Sequence, residues 1–169
     1  KLDRYDRTLL YTKSGPLFLF DQVESAPRDP KVTEWLNDFY DQTPPPLAGG
    51  EGHTFNWVFH AQMNEDDQRS VSYNESTQRM TIDRPKARLT MDVMAPQIAS
   101  SEIRDMPDES EPESYLMLNS APNTKDINFL AVLLPEAKPA GERPETSRIE
   151  ASGWIGARVQ RPGGTDIGL

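Results

Sequence analysis

Glu51-Gly52-His53-Thr54-Phe55-Asn56-Trp57-Val58-Phe59-His60 decides the reading of this chain, because it holds both histidines among aromatic, β-branched and small polar residues. It is entered through Gly49-Gly50 and left through the polar Gln62 to Arg69 stretch, which suits a pleated strand better than a helix. Side chains on a strand alternate between faces, so His53, Phe55, Trp57 and Phe59 are expected on one face and Thr54, Asn56, Val58 and His60 on the other. The two histidines then point in opposite directions and form no ready-made metal pair. The aromatic face must be covered, and Leu17, Leu19 and the apolar strand from Phe129 to Leu134 are the expected cover.

Working outward, the run from Arg7 to Thr12 and the run from Pro16 to Val23 flank Lys13-Ser14-Gly15, which predicts a β-hairpin. Its second strand, Leu17-Phe18-Leu19-Phe20, is apolar on both faces and belongs in the middle of a sheet covered above and below. Asp29-Pro30, an N-cap and a first-turn proline, precedes Val32, Trp35, Leu36, Phe39 and Tyr40 at helical spacing, so one short helix is expected before Thr43-Pro44-Pro45-Pro46. Residues 24–50 therefore read as a helix-containing insertion between two core strands. A second hairpin is predicted from Thr77 to Asp83 and Ala87 to Ala95 across Arg84-Pro85-Lys86. There Leu89, Met91 and Val93 alternate with Arg88, Thr90 and Asp92, giving one buried and one wet face.

Glu102 to Glu113 is acidic and punctuated by proline, and reads as a solvated loop. Calcium is the functional rival for its carboxylates, but the spacing matches no calcium loop and lacks the turn glycine. Tyr115 to Ser120, Ile127 to Leu134, Arg148 to Ala151 and Trp154 to Val159 complete the strands, with Pro135 to Pro144 as a connection. About ten short strands separated by Pro and Gly indicate an all-β fold, an antiparallel β-sandwich forming a single domain over residues 1–169. The fifteen prolines fall mainly between strands.

The chain has 169 residues, a net charge of −9 and eighteen scattered basic residues, which argues against nucleic acid as a partner. Its longest apolar runs are far short of the roughly 20 residues of a membrane helix, so no membrane contact is expected. Without cysteine there is no disulfide, thiolate site or cysteine nucleophile. Lys1, with no methionine or apolar leader, reads as the start of a processed form or an excised piece.

No Gly-x-Ser-x-Gly elbow, phosphate loop, dinucleotide fingerprint or His-Glu-x-x-His is present, which removes the enzymes most readable from motifs. Neither histidine stands at a zinc-ligand spacing, so no metal and no cofactor are expected, and a small metal-dependent enzyme using His53 or His60 has little behind it. A strand-end role for His53 and a satisfied polar role for His60 are the bland alternatives. The polar face carrying Asn56 and His60 is the candidate substrate-binding surface, because it can donate hydrogen bonds to hydroxyl or carboxylate oxygens. The acidic run offers only acceptors and would repel an acidic ligand. Catalytic residues are not legible.

Arg7-Thr8-Leu9-Leu10-Tyr11-Thr12, then Phe18-Leu19-Phe20-Asp21-Gln22-Val23, then the His53 to His60 strand resembles the C-terminal β-sandwich of heparinase II/III-like polysaccharide lyases. The Phe129 to Pro135 strand and the closing Gly153 to Val159 and Asp166 to Leu169 segments are similar to the end of that region, so the resemblance spans nearly the whole chain. It implies a secreted or periplasmic protein that cleaves uronate-containing polysaccharide by β-elimination. It also implies an acidic polysaccharide or oligosaccharide as partner and an N-terminal helical catalytic domain beside the sandwich. That chemistry needs a group to neutralise the uronate carboxylate, a base for the C5 proton and an acid for the leaving oxygen. In the resemblance these come from the helical toroid and an upstream histidine-containing segment, so this piece is expected to be structural or glycan-contacting and inactive as a lyase by itself. The alternative is a free-standing carbohydrate-binding or adhesion module.

Overall fold

The computed structural model describes residues 2–13, 15–25, 53–62, 70–106, 113–139 and 141–169. The expected helix and most of the insertion at 24–50 lie outside the described residues. The described chain forms β1 (Leu2–Tyr11), β2 (Leu17–Ser25), β3 (Asn56–Gln62), β4 (Val71–Asn74), β5 (Arg79–Asp83) and β6 (Ala87–Ala95). It continues with β7 (Ser100–Met106), β8 (Glu113–Asn119), β9 (Asp126–Ala137), β10 (Glu145–Ala151), β11 (Trp154–Arg161) and β12 (Gly164–Gly168). Every strand pairing is antiparallel. The all-β sandwich expected from the spacing of turns is the fold observed.

Three sheets are stacked. A six-stranded sheet in the order β1-β2-β9-β6-β5-β4 is flanked by β3-β8-β7 and by β10-β11-β12. The reason lies in strands apolar on both faces. On β2, Leu19 joins the core under β3 and β8, whereas Phe18 joins a second core under β11. On β9, Phe129 and Ala131 face the first core and Leu130, Val132 and Leu134 the second. β6 feeds both: Met91 and Val93 sit in the first, and a register shift between Val93 and Ala95 turns Ala95 into the second.

Trp57 is buried and stacks on Phe129, with ring centroids 4.4 Å apart, and Phe59 packs on the same ring from 6.4 Å. Phe55 and Phe59 pack beside it, as expected, but are half-buried rather than buried; Leu17 is half-buried and outside this cluster. The predicted hairpins are present. The first closes with Gly15 at φ +117°, its N–H bonded to the Thr12 carbonyl at 3.0 Å.

Several expectations need correction. His53 precedes β3, making only an isolated bridge to Thr124. The Thr90 and Asp92 face of β6 is not wet: both are buried, because the third layer covers it. Glu102 to Met106 is strand, not loop, since β7 pairs with β8 and alternates Ile103 inward with Glu102 and Arg104 outward. Pro135 to Ala137 continues β9; beyond Leu133 that strand has β6 alone as neighbour, so a proline removes no bond to β2. β4 and the start of β12 are strands too short for their alternation to stand out.

Candidate functional site

The alternation read for the histidine strand is observed. Trp57 and Ala61 turn into the core while Asn56, Val58 and His60 are exposed. Cross-strand register then decides which side chains join them, because residues directly opposite share a face. His60 stands opposite Tyr115, which stands opposite Arg104; Asn56 stands opposite Asn119, which stands opposite Ser100. Two polar rows thus cross the outer face of the β3-β8-β7 sheet, separated by a row of Val58, Met117 and Glu102.

In the first row the His60 ring lies 5.7 Å from the Tyr115 ring at 30°, and its Nδ1 is 3.1 Å from Glu113 Oε2. The acidic run and the histidine face, expected to be separate, therefore meet at Glu113. Arg104 donates to Glu102 through Nε at 2.6 Å and Nη2 at 2.9 Å. This fork, with the Tyr115 hydroxyl as a further partner, raises the Arg104 guanidinium above its ordinary range, and Arg104 in turn holds Glu102 below the usual carboxylate range. In the second row Asn56 Nδ2 donates to Asn119 Oδ1 at 2.7 Å and Asn119 Nδ2 donates to Ser100 Oγ at 3.1 Å. These bonds orient the two amides across three strands, and the remaining amide and hydroxyl capacity is open to solvent.

The sequence names Asn56 and His60 for this face but not Tyr115, Arg104 and Asn119, which stand beside them. Only the pairing register brings these together, and no local motif records it. His53 is not part of the face: its backbone N–H and C=O both pair with Thr124 at 2.9 Å. Among the described residues no group of three or more His, Asp or Glu side chains is placed to hold a metal ion.

At the β3 edge of the same sheet, beside β1, a cavity of about 350 Å³ is lined by Tyr5, Arg7, Leu19, Phe55, Asn56 and Trp57, among others. Arg7 reaches across the β1–β2 ladder to Asp21, which is fully buried, and the Trp57 indole N–H donates to the same carboxylate at 3.2 Å. The Asp21 bond raises the Arg7 guanidinium further. Both oxygens of Asp21 are engaged by protein, so the group is a structural anchor rather than a free acid or base.

No family model and no curated protein matches the chain. Among solved structures, it is similar to a heparan sulfate lyase HepC mutant from Pedobacter heparinus, with a TM-score of 0.55 at 12% identity. The likeness covers 96% of this chain but only 23% of that protein, so the chain spans about a quarter of the enzyme it resembles. At this identity what is shared is the fold, an antiparallel β-sandwich.

Proposed function

We propose that this chain is the β-sandwich portion of a polysaccharide lyase-like protein acting by β-elimination on uronate-containing polysaccharide, and that it contacts glycan through the outer β3-β8-β7 face. The observation that carries the reading is the match of nearly the entire chain to part of a heparan sulfate lyase. The face supports a binding role. His60 and Asn56 supply donors for carboxylate and hydroxyl oxygens, and Tyr115 and Asn119 widen the same surface with a hydroxyl and an amide. Arg104 is paired with Glu102, and His60 stands against Glu113. We assign these residues to orientation of a saccharide and give them no step of the elimination.

The helical domain that would supply the chemistry needs a docking surface, and β1 fits one. All ten of its residues are exposed, and this edge strand leaves Leu9, Leu10 and Tyr11 open to solvent. The test is an NMR titration of the 169-residue chain with heparan sulfate and alginate oligosaccharides, paired with an ultraviolet assay for unsaturated uronate. Shifts at Asn56, His60 and Tyr115 without product are expected. Shifts confined elsewhere, or product that disappears with His60→Ala, would defeat the assignment.

A further inference from the structure

On the opposite side of the central sheet lies a groove of about 580 Å³, within the range of small-ligand sites. We propose that it is a second saccharide site, taking uncharged pyranose residues of a glycan. Its floor holds Phe20, Gln22 and Asn128, and its walls include Arg148, Glu150 and Trp154.

Three observations point to sugar. Trp154 lines the groove with 66% of its surface open, although an indole is among the most costly side chains to leave in water. The tight turn through Gly153, at φ +80°, sets it at the start of β11, opposite Ala151. A flat, exposed aromatic surface suits the ring C–H groups of a pyranose, which are apolar while the ring edge carries hydroxyls.

Gln22 and Asn128 are direct partners in the β2–β9 register, so their amides lie side by side on one face. Neither side-chain amide has a hydrogen-bond partner among the described residues. Each amide offers two donors and an acceptor, and a pair of neighbouring hydroxyls needs both kinds of group.

The charge in the groove cancels. Arg148 is ion-paired with Glu150 and fixed by a 3.2 Å bond from Nη1 to the Met94 carbonyl. A uronate would have to compete with Glu150 for that guanidinium, whereas neutral hydroxyls can accept from Arg148 and donate to Glu150 with the pair intact. The selectivity expected here is therefore opposite to that of the His60 face, and the inference does not depend on that face.

Chitohexaose and cellohexaose are suitable probes, titrated into the full chain by NMR and calorimetry. Either should shift the Trp154 indole and the Gln22 and Asn128 amide signals. Trp154→Ala should weaken binding about tenfold or more, Asn128→Ala should weaken it severalfold, and His60→Ala should leave it unchanged. Trp154 is exposed, so its replacement should leave the dispersion of the spectrum intact. Absence of shifts there with both saccharides at millimolar concentration, or wild-type affinity in Trp154→Ala, overturns the site. Tighter binding of a heparan sulfate hexasaccharide in this groove than of either neutral probe overturns the assignment to uncharged rings. Because His60→Ala leaves this site untouched, failure here and failure at the His60 face are separable.

Discussion

Arg7 stands opposite Asp21 in the β1–β2 ladder and grips its buried carboxylate with two N–H groups, at 2.7 and 2.8 Å. With the Trp57 indole as third donor, Asp21 ties the β3 layer to the central sheet. The same arrangement recurs on the other face. Arg79 stands opposite Asp92, and Thr146 and Arg143 reach the second oxygen of Asp92 at 2.6 and 2.7 Å. Each covering layer is thus joined to the central sheet through one buried aspartate on a cross-strand arginine. Apolar packing is nondirectional, and these bonds add a fixed position for each layer to it.

Removing Arg7 should leave Asp21 as a buried charge held by the indole alone. Loss of one partner of a buried pair costs about 3–5 kcal/mol, and since Arg7 is half-exposed and water can enter, about 2–3 kcal/mol is expected for Arg7→Ala. Arg7→Lys keeps the charge but not the fork, and should fall between. Urea unfolding measures both; an Arg7→Ala chain as stable as the parent would show that the pair does not anchor β3.

Asp92 predicts an acid sensitivity. Burial pushes its carboxyl upward, but bonds from Arg79 and Thr146 and the charges of Arg143 and Arg79 outweigh burial and place it below the ordinary carboxylate range. A depressed folded value means that stability is present above the unfolded value, about 3.9, and is lost as pH falls through the folded one. Asp92→Asn should be less stable at pH 7 and lose less between pH 4 and pH 2 than the parent. Parallel stability curves across that interval would contradict the assignment.

The parts of the fold legible in the sequence were those written in local pattern. Lys13 to Gly15 and Arg84 to Lys86 announced their hairpins, and Trp57 against His60 announced the two faces of β3. Asp92 was misread because alternation distinguishes two faces but does not reveal a third layer, and its partners Arg143 and Thr146 lie far along the chain. β7 was hidden because Ile103 is its one strongly apolar inward residue among acidic neighbours. Of the candidate face, only the β3 side chains were legible. Tyr115, Arg104 and Asn119 join it through long-range register.

Close approach of β12 gives a packing test. A Cβ built at Gly168 would lie 2.6 Å from the ring of Phe18, which is buried in the second core and has little room to turn. Gly168→Ala should therefore push β12 off the central sheet and cost about 1–3 kcal/mol, the usual range for overpacking. Combining it with Phe18→Leu should recover part of the loss, whereas additive losses measured by thermal unfolding would place the strain elsewhere.

The charges around His60 set the expected effect of its neighbours on acidic-glycan binding. There the carboxylates of Glu102 and Glu113 stand against the one guanidinium of Arg104. Glu113→Gln removes a carboxylate that repels a uronate and should strengthen binding at pH 7.5 by about two- to fivefold, the scale of an exposed charge pair. His60→Ala removes a hydrogen-bond donor for the uronate carboxylate and should weaken binding by about the same factor. Isothermal titration of parent and both variants gives the comparison. Unchanged binding in His60→Ala, or weaker binding in Glu113→Gln, would remove His60 as the group that receives the carboxylate.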